Sequence, residues 1–194
     1  MKILVATNNK GKRSEIEALF KGLKIDLLFP NQLNINAEVE ESGSTYAENA
    51  ALKAETLCRI SGLPTIADDT GLEVEALEGR PGLHSARYHP DPLATDADRR
   101  ARMLDELKEK PAPWRARFVC VVAYARTNLP TLFFEGELRG EIIPHESGDF
   151  GSGYDRLFWV AELQKTLAEL NMAEKNELSH RARAINRLKE YLEK

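Results

Sequence analysis

Lys2-Ile3-Leu4-Val5-Ala6-Thr7-Asn8-Asn9-Lys10-Gly11-Lys12 stands at the start of the chain. Lys2 to Ala6 is a short apolar run without helical period and reads as a buried strand. Thr7 to Lys12 is a polar loop. From Ser14 to Lys21, Ile16, Leu19 and Phe20 recur at helical spacing. Strand, loop and helix in succession form an α/β unit, which sets the fold class. Backbone N–H groups at such a junction can face an anion, helped by the helix dipole, and Lys10 and Lys12 add charge. The loop is a phosphate cradle or a plain capped turn with solvated lysines. It lacks the Gly-x-x-x-x-Gly-Lys-Ser/Thr pattern of a P-loop.

Working outward, Ile25 to Phe29 reads as a second strand ended by Pro30-Asn31. Ser44 to Ile60 reads as a helix with Thr45 and Glu48 as a capping box. Its face of Ala47, Ala50, Ala54, Leu57 and Cys58 suits close packing. Asn49 and Lys53, four apart, project together on a different face. The apolar run from Leu63 to Ala67 then leads into Asp68-Asp69-Thr70-Gly71, read as a strand ending in an acidic turn. Leu77 to Pro81 is a loop. Asp96 to Lys110 is an amphipathic helix with Ala97, Ala101, Leu104 and Leu107 inward, stopped by Pro111 and Pro113. Ala116 to Ala125 and Leu132 to Ile143 are strands, and the short link Arg126 to Thr131 implies a hairpin. Ser147 to Asp155 is glycine-rich, Thr166 and Glu169 make another cap, and Ala173 to Glu193 reads as one last helix. The expected architecture is α/β with a mixed sheet, residues 1–194 forming one domain of two lobes around a cleft.

Composition narrows the function. The chain has 194 residues, 42% hydrophobic and 30% charged, with net charge −4. These values fit an ordinary soluble protein and argue against a nucleic-acid polymer as partner, which calls for a basic stripe. No apolar run reaches the roughly 20 residues of a membrane span, and Ile3 to Ala6 is too short for a signal peptide. Cys58 and Cys120 lie in apolar segments and read as buried free thiols. A cytoplasmic protein without membrane contact is expected.

The chemistry concentrates in three places. Side chains alternate along a strand, so Asp68 and Asp69 point in different directions, one for a metal or water and the other for the turn. Glu40-Glu41-Ser42-Gly43 is a second acidic turn before the capped helix. Mg²⁺ takes one or two carboxylates plus substrate phosphates, and Glu40 or Glu41 with Asp69 would supply them. Lys175 and Ser179-His180-Arg181 gather cations on the last helix; Arg grips phosphate bidentately and Lys acts as a point charge. No nucleophile elbow is present, and His84, His89 and His145 lack metal-ligand spacing.

Together these motifs resemble the Ham1/RdgB family of noncanonical purine nucleoside triphosphate pyrophosphatases, the inosine triphosphatases. The resemblance runs from Thr7–Lys12 through Glu40–Ala54, Ala67–Val74, Pro81-Gly82 and Ser85–Tyr88. It continues at Gly153-Tyr154-Asp155, Lys165–Leu170 and Lys175-Asn176 to Ser179-His180-Arg181. It implies a homodimer that hydrolyses ITP, dITP or XTP to the monophosphate and pyrophosphate with Mg²⁺. It assigns Asp69 as base and metal ligand and Glu40 as a second metal ligand. Thr7, Asn8, Asn9, Lys10, Gly11, Lys12, Lys53, Lys175 and Arg181 would hold phosphates. Thr70, Gly153, Tyr154, Asp155 and His180 would line the nucleoside end. The chain departs from the family pattern at Phe150-Gly151-Ser152-Gly153-Tyr154-Asp155-Arg156. Ser152 stands where the family has a base-stacking Phe, and Arg156 where it has Pro.

Overall fold

The computed structural model describes residues 1–193. Five α-helices are present among them: α1 (Lys10–Phe20), α2 (Tyr46–Ser61), α3 (Asp96–Leu107), α4 (Met172–Leu178) and α5 (His180–Leu192). The strands are β1 (Lys2–Val5), β2 (Asp26–Leu28), β3 (Thr65–Val74), β4 (Pro81–Gly82), β5 (Trp114–Arg126), β6 (Leu129–Ile142), β7 (Phe158–Val160) and β8 (Lys165–Thr166). They form one mixed sheet in the order β2-β1-β3-β5-β6-β7-β8, with β4 beside β3. β1 runs parallel to both β2 and β3; β3–β4, β6–β7 and β7–β8 are antiparallel.

The chain divides into two units. The first comprises residues 1–69, 120–136 and the chain from His180 on; the second comprises 70–119 and 137–179. In the first unit, Ile3, Val5 and Ile66 of the sheet pack with Ile16, Leu19 and Phe20 of α1 and Ala182, Ile185 and Leu188 of α5. On α2, Ala50, Ala54 and Cys58 cluster with Ala67, Ala123 and Ala125. The small-residue face of α2 lets helix and sheet backbones approach closely. In the second unit, Leu72, Val74, Met103, Leu107, Phe118, Leu138 and Phe158 form a separate core. The Phe118 and Phe158 rings meet at a tilt of 45°, with centroids 4.7 Å apart.

Several elements differ from the sequence reading, each for a local reason. β3 does not end at the acidic pair; it runs on to Val74, so Asp68 and Asp69 lie in mid-strand. The flanking Ile66-Ala67 and Leu72 are buried on either side and carry the strand through. α1 begins at Lys10, because the Asn9 side chain caps the Lys12 N–H at 3.1 Å. The last helix is two helices: Ser179 adopts extended angles (φ −64, ψ 154) and separates α4 from α5. On α3, Leu107 is buried and Leu104 packs against the core as expected, but the two alanines do not turn inward. Ala97 and Ala101 are exposed, while Arg100, Met103 and Leu107 are buried. Two long apolar side chains outweigh two alanines in burial energy. β5 and β6 are longer than read and joined by Thr127-Asn128, with Asn128 at φ 59. β7, β8 and β4 are too short for a periodicity to show. Cys58 and Cys120 are free and buried, as expected.

Candidate active site

Asp68 and Asp69 face different helices of the first unit, as alternation along β3 requires. Asp68 shares its side of the strand with Ile66, the side covered by α1 and α5. Lys12 Nζ lies 2.9 Å from Asp68 Oδ2, and Arg181 donates to the same oxygen from Nε at 3.3 Å and Nη2 at 3.2 Å. Arg181 Nη1 also donates to Glu15 Oε2. Arg181, Glu15 and Asp68 are all buried. Burial disfavours the Asp68 carboxylate, but the charges of Lys12, Arg181 and Lys53 overcome it and hold its pKa far below the usual range. Burial likewise opposes the Arg181 charge, and Asp68 and Glu15 more than restore it, so its pKa rises.

Asp69 shares its side with Ala67 and faces α2. Asn49 and Lys53, one helical turn apart, both reach it. Asn49 Nδ2 donates to Asp69 Oδ2 at 3.2 Å, and Lys53 Nζ lies 3.6 Å from Oδ1. The Asn49 amide is oriented from its other end: Gly43 N–H donates to Asn49 Oδ1 at 2.8 Å. A Cβ on Gly43 would stand 2.7 Å from that oxygen, so the close turn needs glycine. Lys53 Nζ also donates to Glu41 Oε1 and to the Asp68 carbonyl, each at 2.8 Å. Asp69 behaves opposite to its neighbour. Burial pushes its pKa up, Lys53 opposes this, and the Glu41 charge adds to it. Lys53 itself is pushed down by burial but more strongly raised by Asp68, Asp69 and Glu41.

The other residues singled out in the sequence fall as follows. Asn8, Asn9, Lys10 and Gly11 are exposed, while Thr7 is half-buried and its hydroxyl accepts the Asn9 N–H. Glu40 is exposed; its neighbour Glu41 is the carboxylate that meets Lys53. Thr70 is half-buried on β3, and His180 is buried at the start of α5. In the second unit, Lys175 Nζ is paired with Asp155 Oδ2 at 2.8 Å, both side chains being buried. Tyr154 is buried and its hydroxyl donates to the Ser85 carbonyl at 2.9 Å. Gly153 lies in the glycine-rich loop at φ 61. Lys175 and Arg181, read as neighbours on one helix, belong to different helices and different units. Glu15 escaped the sequence reading. Its signal was an acid beside Ile16 on the face of α1 that turns inward.

The donor set fits a hard divalent cation. Asp69 is a desolvated carboxylate with its pKa raised, so it gains from further positive charge. Among the described residues, no group of three or more His, Cys, Asp or Glu side chains could hold a metal. One or two protein oxygens of this kind suit a hard divalent cation that takes its remaining ligands from water or a bound molecule. No helix among the described residues is long and apolar enough to cross a membrane.

Known proteins resemble this chain over almost its whole length. Residues 3–191 match the Ham1 family. A dITP/XTP pyrophosphatase of Geobacter sulfurreducens is 44% identical over 192 residues, covering 98% of this chain and 96% of its own. One of Mannheimia succiniciproducens is 45% identical over 195 residues, covering 98% of each. Among solved structures, the Staphylococcus aureus Ham1 protein is 38% identical with a TM-score of 0.88, covering 100% of this chain and 98% of its own. A HAM1 protein from Coxiella burnetii is 36% identical with a TM-score of 0.90, covering 99% and 98%. A match of this length and identity, carried by the same fold, places the chain in the Ham1 family.

Proposed function

We propose that this protein hydrolyses noncanonical purine nucleoside triphosphates, ITP, dITP and XTP, to the monophosphate and pyrophosphate. The observation that carries the reading is the split acidic pair of β3. Asp68 is neutralised by Lys12 and Arg181, while Asp69 is desolvated and held by Asn49 and Lys53. Full-length relatives named dITP/XTP pyrophosphatase support the substrate class.

Mg²⁺ would be held by Asp69 and Glu40 together with substrate phosphates, and it would supply charge neutralisation and a more acidic water. Asp69 orients a water against the phosphorus of the α–β anhydride and takes its proton. The water oxygen forms the new bond to phosphorus, and the anhydride bond breaks to release pyrophosphate. Asp69 serves as base through its position beside the water, since a bound cation would offset the rise in pKa that burial causes. Asn49 keeps it aimed, since its amide is fixed by Gly43. Lys12 and Lys53 bring positive charge to the phosphates, with Thr7 to Gly11 offering backbone donors. Arg181 would have to exchange a contact with Asp68 or Glu15 to reach a phosphate, and Lys175 one with Asp155. Thr70, Gly153, Tyr154, Asp155 and His180 take the nucleoside end in this reading. A homodimer acting on free nucleotides in the cytoplasm completes it; the resemblance alone supports those two points.

One observation favours a variant of the substrate class. Ser152 is exposed and has no ring to stack on a base, whereas Phe150, two residues earlier in the loop, is 59% exposed. If Phe150 takes over the stacking, the substrate class holds; without it, the loop suits a related pyrophosphatase of other modified nucleotides. The test is pyrophosphate release from ITP, XTP, GTP and ATP with Mg²⁺, repeated with a chelator. ITP and XTP should exceed GTP and ATP in kcat/KM, and chelation should stop all four. Equal rates on the four would overturn the substrate class, and no pyrophosphate from any would overturn the enzyme.

A further inference from the structure

Helix α3 grips the glycine-rich loop of the second unit at both peptide groups of one residue. Gly153 N–H donates to Asp96 Oδ2 at 2.7 Å, and Arg100 Nη1 donates to the Gly153 carbonyl at 2.7 Å. Asp96 and Arg100 are four apart, so one helix face presents an acceptor and, a turn later, a donor. Gly153 adopts φ 61, one of three left-handed glycines in the loop with Gly148 and Gly151, so the clamp closes on a turn of the backbone. The remaining donors of Arg100 are also fixed. Nε and Nη2 donate to Glu146 Oε1 at 2.7 Å and Oε2 at 3.1 Å, a bidentate pair. Arg100 is only 6% exposed although charged. Arg99 Nη2 holds the other Asp96 oxygen at 2.6 Å. From inside the loop, Asp155 Oδ2 accepts the Ser152 N–H at 3.0 Å and the Lys175 ammonium.

Such a device does little for core burial, because Phe150, Gly151 and Ser152 remain exposed. What it does is hold an exposed turn in one backbone conformation. The planar guanidinium suits this, since its donors are rigidly arranged. Fixing a binding loop beforehand removes the ordering cost that a ligand would otherwise meet.

We propose that Asp96 and Arg100 are positioning residues for the nucleoside end: they touch no substrate but set the Gly153 backbone and so the stance of Tyr154 and Asp155. The inference rests on the assignment of Gly153 to Asp155 to the nucleoside. Arg100→Lys keeps the charge but not the fork, and Asp96→Asn keeps the shape but not the charge. With ITP, each should raise KM about tenfold while kcat stays within about twofold, the pattern of lost ground-state positioning. Inhibition by inorganic tripolyphosphate, which has no base, should be unchanged. Hydrogen exchange at residues 147–155 should rise in both variants, and this readout needs no turnover.

Unchanged exchange in the loop would overturn the clamp. Raised exchange with unchanged KM would overturn its role in binding, as would weaker tripolyphosphate inhibition in step with KM. Failure of both conservative variants to fold would make the contacts purely structural and overturn the proposal. Wild-type protein inert toward ITP would instead sink the nucleotide reading, and exchange would still judge the clamp.

Discussion

Replacing Arg181 by Met tests whether the buried ion cluster of the first unit is structural. The guanidinium makes two bonds to Asp68 Oδ2 and one to Glu15, and the three side chains are 7%, 2% and 8% exposed. Met keeps much of the stem volume, so the perturbation is mainly the removed charge. Asp68 keeps Lys12 at 2.9 Å, whereas Glu15 loses its guanidinium partner. Removing one member of a buried pair costs about 3–5 kcal/mol, because the remaining charge stays desolvated. At about 2–4 °C per kcal/mol for a chain of this size, the melting temperature should fall by roughly 6–20 °C. Adding Glu15→Gln removes the carboxylate that faced the guanidinium and should return at least about 1 kcal/mol, a coupling expected of residues in contact. Urea and thermal unfolding of the wild type, both singles and the double variant measure this. A melting temperature within about 2 °C of wild type, or strictly additive singles, would refute the reasoning.

Four further outcomes follow from the same geometry. Asp69→Asn should abolish pyrophosphate release while circular dichroism stays native; near-normal release from folded protein would remove Asp69 as base. Ser152→Phe should lower KM for ITP by up to about tenfold if a stacking ring is missing, and an unchanged KM would show that Phe150 or another ring already stacks. Gly136→Ala should destabilise by about 1–3 kcal/mol or more, since a Cβ there would stand 2.1 Å from the His180 carbonyl, and chemical denaturation reads this directly. Acid unfolding should also respond to Asp96. Burial opposes its charge, but hydrogen bonds from Arg99 and the Gly153 N–H outweigh it and hold its pKa below the ordinary value of about 3.9. Its contribution is therefore complete above that value and lost as pH falls through the lowered pKa. Asp96→Asn should show a shallower loss of melting temperature over that acid range; an identical slope would count against the bond.

Local patterns in the chain were enough for the α/β class, the order of the main elements and the divergence of Asp68 from Asp69. These follow from local rules: apolar runs against helical period, and the two-residue alternation of a strand. The joint facing of Asn49 and Lys53 was legible for the same reason, as a four-residue spacing on a helix. Tertiary structure alone decided the rest. It carried β3 through the acidic pair, because the burial of Leu72 and Val74 extends the strand beyond Gly71. It broke the last helix at Ser179, turned Arg100 inward in place of two alanines, and brought Glu15 to Arg181 across 166 residues of sequence. It also brought Glu41 rather than Glu40 to Lys53. A charged side chain is placed by partners distant in sequence, and no periodicity records them. The roles of the two aspartates were separable only once those partners were in view: three cations hold Asp68 ionised, and burial leaves Asp69 reluctant to be.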